Sequence, residues 1–128
     1  MNTKKIENVI SMPVEERYDY FIRKVAEFKE VWSIGNENGW ALLNDNENRI
    51  IVPFWPEKEF ALLCCSEQWT NYTPKLIMLN DFMSRWLPGM KNDNRFANVF
   101  YTPTNRTGSI VEPDTLLQDI NDEEQNYL

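Results

Sequence analysis

The segment VPFWPEKEFALLCC, residues 52–65, predicts how the middle of the chain folds. Pro53 has no backbone N–H, which places it near the end of a strand or on a sheet edge. Pro56 suits the first position of a helix, and Glu57 and Glu59 suit the positive N-terminal end of that helix. The segment therefore predicts a strand, a sharp turn and then a helix.

A long helix is predicted before this segment, over about residues 13–29. Its apolar residues recur three or four positions apart, which is typical of one buried helical face; they are Val14, Tyr18, Phe21, Val25 and Phe28. Three short apolar runs follow, at 30–35, 40–45 and 49–55, separated by Asn, Asp, Glu and Gly. Asn38-Gly39 is a strong hairpin signal because both residues tolerate positive φ. The three runs predict a β-meander.

The second half of the chain alternates further strands and helices. Strands are expected in TPKLIML, RFANVFYT and SIV, and helices in DFMSRWLPGMK, where Pro88-Gly89 would stop or bend the helix, and from Pro113 onward. The predicted fold is α+β, with a single, mostly antiparallel sheet of five or six strands. A long N-terminal helix and three further helices would pack on it. We expect one domain over residues 1–128, with a frayed acidic end at about 121–128.

Composition excludes several kinds of chemistry. The 128 residues are 42% hydrophobic and 26% charged and contain no histidine, which removes the commonest general base and metal ligand. The four glycines are scattered, so no phosphate-binding loop is indicated. Cys64 and Cys65 are too few for a closed zinc site, and Cys64 is expected to be buried packing. We therefore expect no metal and no cofactor.

The same features predict where the protein resides. Two neighbouring cysteines do not form a secreted disulfide scaffold, and residues 4–11 are too short and polar for a signal sequence. No run approaches the roughly 20 apolar residues of a membrane helix. The expected location is the cytoplasm, without a membrane partner.

The net charge of −7 is unevenly distributed. Six acidic residues and no basic residue lie from position 112 onward, whereas residues 1–111 hold 13 basic and 14 acidic residues. One interpretation is a solvated helix face; the other is a docking element for a basic protein partner. Its candidate binding residues are Asp119, Asp122, Glu123 and Glu124. Nucleic-acid binding is not expected because no basic stripe is available.

A carboxylate site is the alternative hypothesis. Glu57 and Glu59 lie beside Trp55, and aromatic-lined acid pairs occur in glycoside hydrolysis. The alternative function is therefore a small carboxylate-based hydrolase or ligand-binding enzyme near Trp55. Helix capping and core packing explain the same residues more simply, since positions i and i+2 of a helix do not face each other.

Several segments between residues 5 and 122 form a recognisable ordered set. FWPEKEF and WLPG are the most specific, and the others are RYDYFIRKVAEFKEVW, GWALL, W-x-x-Y-x-P (69–74), VFYTP and EPDTLLQDI. Together they resemble a family of small bacterial proteins, the domain-of-unknown-function 2750 family. The resemblance implies no activity and no site residues. A weaker pattern similarity to the SseB-like domain of secretion-associated proteins implies at most an α+β interaction module. The predicted function is a non-catalytic protein-interaction module, including immunity or regulatory roles.

Overall fold

The structure is a computed structural model that describes residues 2–104 and 108–127. Its helices are α1 (Thr3–Ile10), α2 (Val14–Phe28), α3 (Lys58–Leu63), α4 (Leu79–Asp81), α5 (Leu87–Asn92) and α6 (Pro113–Glu124). A π-helical segment, Phe82–Trp86, joins α4 to α5, and short 3-10 turns span Glu67–Trp69 and Gln125–Tyr127. The strands are β1 (Glu30–Asn36), β2 (Gly39–Trp40), β3 (Leu43–Asn44), β4 (Ile50–Phe54), β5 (Thr73–Met78), β6 (Phe96–Val99) and β7 (Ser109–Val111). The α+β class is confirmed.

The strands form two sheets, so the prediction of a single sheet is wrong. One sheet has the order β2-β1-β5 and the other the order β3-β4-β6-β7. Pairing is antiparallel except between β4 and β6. The predicted strand over 40–45 is split into β2 and β3, which belong to different sheets. The meander is therefore interrupted between its two hairpins.

A single bridge joins the sheets, and it involves two tryptophans. Trp32 N–H donates to Trp55 O at 2.9 Å, and Trp55 N–H donates to Trp32 O at 2.8 Å. β3 pairs only with Ile50 and Ile51 of β4, and β6 pairs with Ile51–Phe54. The bridge from β1 reaches the chain at Trp55, just beyond the end of β4.

The predicted long helix is present as α2, but its buried face differs in part from the predicted one. Phe21 and Val25 have no exposed surface, as the apolar spacing predicts. Val14 and Tyr18 are only partly buried. The residues buried outside the predicted set are Arg17, Tyr20, Ile22 and Ala26. Phe28 is instead half-exposed because the helix ends there, and Lys29 adopts a left-handed conformation with φ 61°. A left-handed residue is a common helix terminator.

The segment 52–65 folds as a strand, a turn and a helix, as predicted, but the helix begins two residues later than predicted. The strand runs to Phe54, and α3 begins at Lys58 rather than at Pro56. Glu57 occupies the N-cap position in an extended conformation. The three aromatic rings of the segment, those of Phe54, Trp55 and Phe60, are at most 1% exposed and lie in the core.

Pro88 does not stop its helix. The helical path continues to Asn92, and it widens before the proline: Leu87 N–H donates to Phe82 O, five residues back. A proline ring clashes with the carbonyl four residues earlier in a regular helix, so the wider turn accommodates it. Downstream, α6 extends to Glu124 and is followed by the turn Gln125–Tyr127.

Candidate functional site

The carboxylates beside Trp55 do not form an acid pair around that tryptophan. Trp55 is fully buried and its Nε1 donates to Tyr101 O at 2.7 Å. Glu57 Oε1 accepts a 2.5 Å hydrogen bond from the Tyr20 hydroxyl, and Glu59 is half-buried in the first turn of α3. None of these three predicted site residues lines a cavity described below. The structure thus places Trp55 in the core and Glu57 in a link from α3 to α2.

The Tyr20–Glu57 contact also affects the ionisation of Tyr20. Burial, and then the hydrogen bond to Glu57, raise the pKa of Tyr20 above its ordinary value. Lys5 Nζ lies 3.9 Å from Glu57 Oε2, which brings a positive charge to the other carboxylate oxygen. The tyrosine therefore remains protonated and acts as a donor, which is a structural role for both residues.

The two cysteines occupy different environments. Cys64 is 4% exposed, with Sγ 3.7 Å from Tyr101 O, whereas Cys65 is half-buried with Sγ 3.5 Å from Ala61 O. Burial raises the pKa of the Cys65 thiol, which reduces its thiolate fraction near neutral pH. Neither thiol is placed as an activated nucleophile.

Thiol labelling of the native protein is expected to distinguish Cys64 from Cys65. A Cys65→Ser variant, which reports Cys64 alone, should react slowly until denaturant is added, because its thiol is buried. A Cys64→Ala variant, which reports Cys65 alone, should react faster in the native state. Rapid native labelling of both variants would contradict the burial of Cys64.

The predicted acidic residues lie on α6, and each has a partner. Asp119 Oδ2 accepts a 2.5 Å hydrogen bond from the Tyr18 hydroxyl on α2. Glu124 Oε2 lies 2.7 Å from Lys29 Nζ, just beyond α2. Asp122 accepts from Gln118 at 2.8 Å, and Glu123 accepts from Asn126 at 3.2 Å. Asp119 and Glu124 thus fasten α6 to the neighbouring helix as well as carrying charge.

A cavity of about 590 Å³ lies between α2 and α6, and we call it the acidic groove. It is lined by Tyr18, Asp19, Ile22, Arg23, Asp119, Asp122, Glu123 and Asn126. Four carboxylates and one guanidinium therefore line the groove. Burial, followed by the bond to Asp119, raises the pKa of Tyr18. The structure brings three of the four predicted acidic residues together, while Glu124 lies outside the lining.

Two further cavities were missed by sequence reasoning. A cleft of about 480 Å³ beside the β3–β4 hairpin has Asn98 in its lining, with Asp45 and Arg49 joined at its rim by a 2.5 Å bond. Asn98 is 2% exposed, and its Oδ1 has no hydrogen-bond partner among the described residues. A polar residue in the centre of the apolar strand FANV was the available signal.

The second missed cavity measures about 320 Å³ and lies between β2 and the π-helical segment. We call it the tryptophan groove because Trp40 and Trp86 form its aromatic walls, with ring centroids 4.5 Å apart. Arg85 and Arg95 also line it. The sequence signal was the pair of segments GWALL and WLPG, which the fold brings together.

A family model described as a protein of unknown function, DUF2750, matches residues 18–120. The chain belongs to this family. The match begins within α2 and ends within α6, and it includes the whole lining of the tryptophan groove. Of the acidic groove's lining, Asp122, Glu123 and Asn126 lie beyond the matched residues. The comparisons with curated proteins and with solved structures gave no match, and the similarity to the SseB-like domain is not shown.

The described part of this family member holds no group of three or more acidic or cysteine side chains placed to bind a metal ion. In the same residues, 2–104 and 108–127, no helix combines the length and the apolar character needed to cross a membrane.

Proposed function

We propose that the protein is a non-catalytic cytoplasmic interaction module that binds a basic protein partner at the acidic groove. The observation that carries the proposal is the lining of that groove, where four carboxylates accompany one guanidinium. A Lys- or Arg-rich segment entering the groove would meet an excess of negative charge. Charge complementarity of this kind guides encounter and selects partners.

The acidic side chains are held on an ordered helix, which favours recognition. Asp122 and Glu123 lie within α6, which is fastened to α2 by the Tyr18–Asp119 bond and to Lys29 by Glu124. Leu116 and Ile120 on the same helix have no exposed surface and dock it on the core. Binding to an ordered surface costs less conformational entropy than binding to a flexible tail.

A regulatory or immunity role is the most specific form of the proposal. Such proteins act by occupying a partner's surface, and a chain without histidine that carries an acidic groove suits that mode of action. The carboxylate-enzyme alternative has less support, because Trp55 is buried and Glu57 is engaged by Tyr20.

Removing two charges from the acidic groove is expected to weaken binding without unfolding the protein. Asp122→Asn with Glu123→Gln keeps the side-chain shapes, and each change at these surface positions should alter stability by less than about 0.5 kcal/mol. Association with a basic partner should slow, and its salt dependence should become flatter. The measurement is capture from the native cell extract at low and moderate salt, followed by association kinetics with the purified captured protein.

The matched control removes the same charge elsewhere. Glu7→Gln with Glu37→Gln changes two exposed acidic residues outside the acidic groove. This control should bind as the unmodified protein does. Equal binding by both double variants, or a failure of the unmodified protein to capture any basic protein at low salt, would contradict the proposal.

A further inference from the structure

One wall of the tryptophan groove is a helical segment that widens just before Pro88. The π-helical turn before the proline, marked by the bond from Leu87 N–H to Phe82 O, inserts an extra residue into the helix. That insertion changes the direction in which the preceding side chains, Arg85 and Trp86, leave the helix. Single π turns are frequent at functional sites, and this one forms one wall of a cavity.

The walls of the groove are aromatic and partly exposed. Trp86 is fixed by an edge-on contact with Phe54 at 5.9 Å, and Trp40 packs edge-on against Trp86. Trp40 is 38% exposed and Leu42 is 45% exposed, an arrangement that leaves apolar surface facing water. An aromatic ring entering the groove would cover this surface and find an indole edge or face to contact.

Gly89 leaves open space in the groove. A Cβ built on Gly89 meets no atom within 4 Å, although the residue also lines the cavity. Gly89 lies within α5, where glycine is less favourable than other residues. The position therefore accepts a side chain without disturbing the fold, and a large side chain there would fill the groove.

The groove is positively charged within a protein of net charge −7. Arg85 and Arg95 line it together with one carboxylate, that of Asp93. The Arg85 side chain is 82% exposed, and its ion pair with Asp81 is long, at 4.0 Å. An exposed guanidinium beside an apolar wall is a favourable site for a carboxylate, because it offers paired donors in a fixed plane.

We propose that the tryptophan groove is a binding site for a small aromatic carboxylate. The ligand ring lies against Trp40 and Trp86, and its carboxylate accepts hydrogen bonds from Arg85 or Arg95. The volume of about 320 Å³ is at the small end of the range for ligand cavities, which fits a one- or two-ring molecule. The site shares no lining residue with the acidic groove, so the two proposed sites lie at different places on the protein.

The test is a titration of the isotopically labelled protein with indole-3-acetate, followed by NMR. The indole N–H signals of Trp40 and Trp86 and the backbone signal of Gly89 should shift and saturate, with a Kd of about 1 mM or tighter. Indole-3-acetamide has the same ring without the charge and should bind roughly tenfold more weakly, because the charge-assisted bonds are lost. Acetate alone should cause no saturable shift in these signals.

Variants separate the ring site from the anion site. Gly89→Leu should abolish binding by filling the groove, whereas Gly89→Ala, a smaller change at the same position, should retain it. Arg85→Gln combined with Arg95→Gln should weaken indole-3-acetate roughly tenfold and leave indole-3-acetamide unchanged. Lys4→Gln combined with Lys58→Gln removes two exposed positive charges outside both grooves; it is the matched control and should have no effect.

Three results would overturn the proposal. They are the absence of saturation at about ten times the expected Kd, equal affinity for indole-3-acetate and indole-3-acetamide, and binding to Gly89→Leu as strong as to Gly89→Ala. Thermal unfolding of each variant confirms that it is folded. Trp40→Ala removes one aromatic wall of the tryptophan groove without altering the helix, and it should also weaken binding. The test therefore does not depend on Gly89 alone.

Discussion

A Trp55→Ala variant is expected to lose about 3–5 kcal/mol of unfolding free energy. Trp55 is fully buried, and its backbone forms the bridge between the two sheets with Trp32. Its indole also packs edge-on against Tyr101, at a centroid distance of 6.5 Å, and donates to the Tyr101 carbonyl. Truncation would leave a cavity where the sheets meet and would remove the indole donor from the Tyr101 carbonyl.

Urea denaturation measures this loss of unfolding free energy. Two control variants test how much of it comes from the N–H donor and how much from the burial of the ring. Trp55→Phe retains most of the ring and removes the N–H donor, so it should cost about 1–3 kcal/mol. Trp40→Ala removes the same kind of side chain from an exposed position and should cost less than Trp55→Ala. A Trp55→Ala protein within about 1 kcal/mol of the unmodified protein would show that the indole is not a core residue.

Local signals in the sequence predict local structure well in this chain. The apolar spacing of α2 and the proline and acidic residues of segment 52–65 both predict their elements, to within a few residues. The hairpin predicted at Asn38-Gly39 is present, with its turn at Glu37-Asn38, one residue earlier, and with Gly39 at φ 125° in the first position of β2. In each case the deciding interactions lie between residues close together in the chain.

The choice of strand partners was not predictable in the same way. β4 pairs in parallel with β6, with α3, β5 and the π-helical segment between them in the chain. Short apolar runs indicate that strands exist, but do not specify which strands pair. The prediction of a single sheet was wrong because it assumed that neighbouring hairpins continue into one another, whereas the chain leaves the first sheet after β2.

The candidate sites also combine features that the sequence predicts locally with contacts between distant residues that it does not predict. Asp119, Asp122 and Glu123 were identified from their charge, but their neighbours Tyr18 and Asp19 come from another helix. The tryptophan groove joins residues from β2, β4, the π-helical segment, α5 and the connection before β6, so no local pattern describes it. Composition alone could not show that Trp55 is buried while Trp40 is exposed.

Arg17 is a charged residue whose burial the apolar spacing of α2 does not predict. It lies near the start of α2 and is 1% exposed, with Nη1 donating to Met12 O at 2.8 Å and Nε donating to Phe100 O at 3.1 Å. Phe100 follows β6 in a left-handed conformation with φ 61°, so its carbonyl is fixed at an unusual angle. The guanidinium thus joins the α1–α2 connection to the end of β6.

An Arg17→Met variant is expected to lose about 2–5 kcal/mol of unfolding free energy. Methionine fills a similar volume, so the loss reports the carbonyls of Met12 and Phe100, which would be left without these donors at about 1–3 kcal/mol for each buried group. Burial also lowers the pKa of Arg17, the sign of a guanidinium whose contact with water has been replaced by protein contacts.

Arg23→Met, at an exposed position of the same helix, is the matched control and should change stability by about 0.5 kcal/mol or less. Urea denaturation of both variants is the measurement. If Arg17→Met unfolds at the same urea concentration as Arg23→Met, the two carbonyls do not depend on the guanidinium, and the connection between α2 and β6 must be held by apolar packing alone.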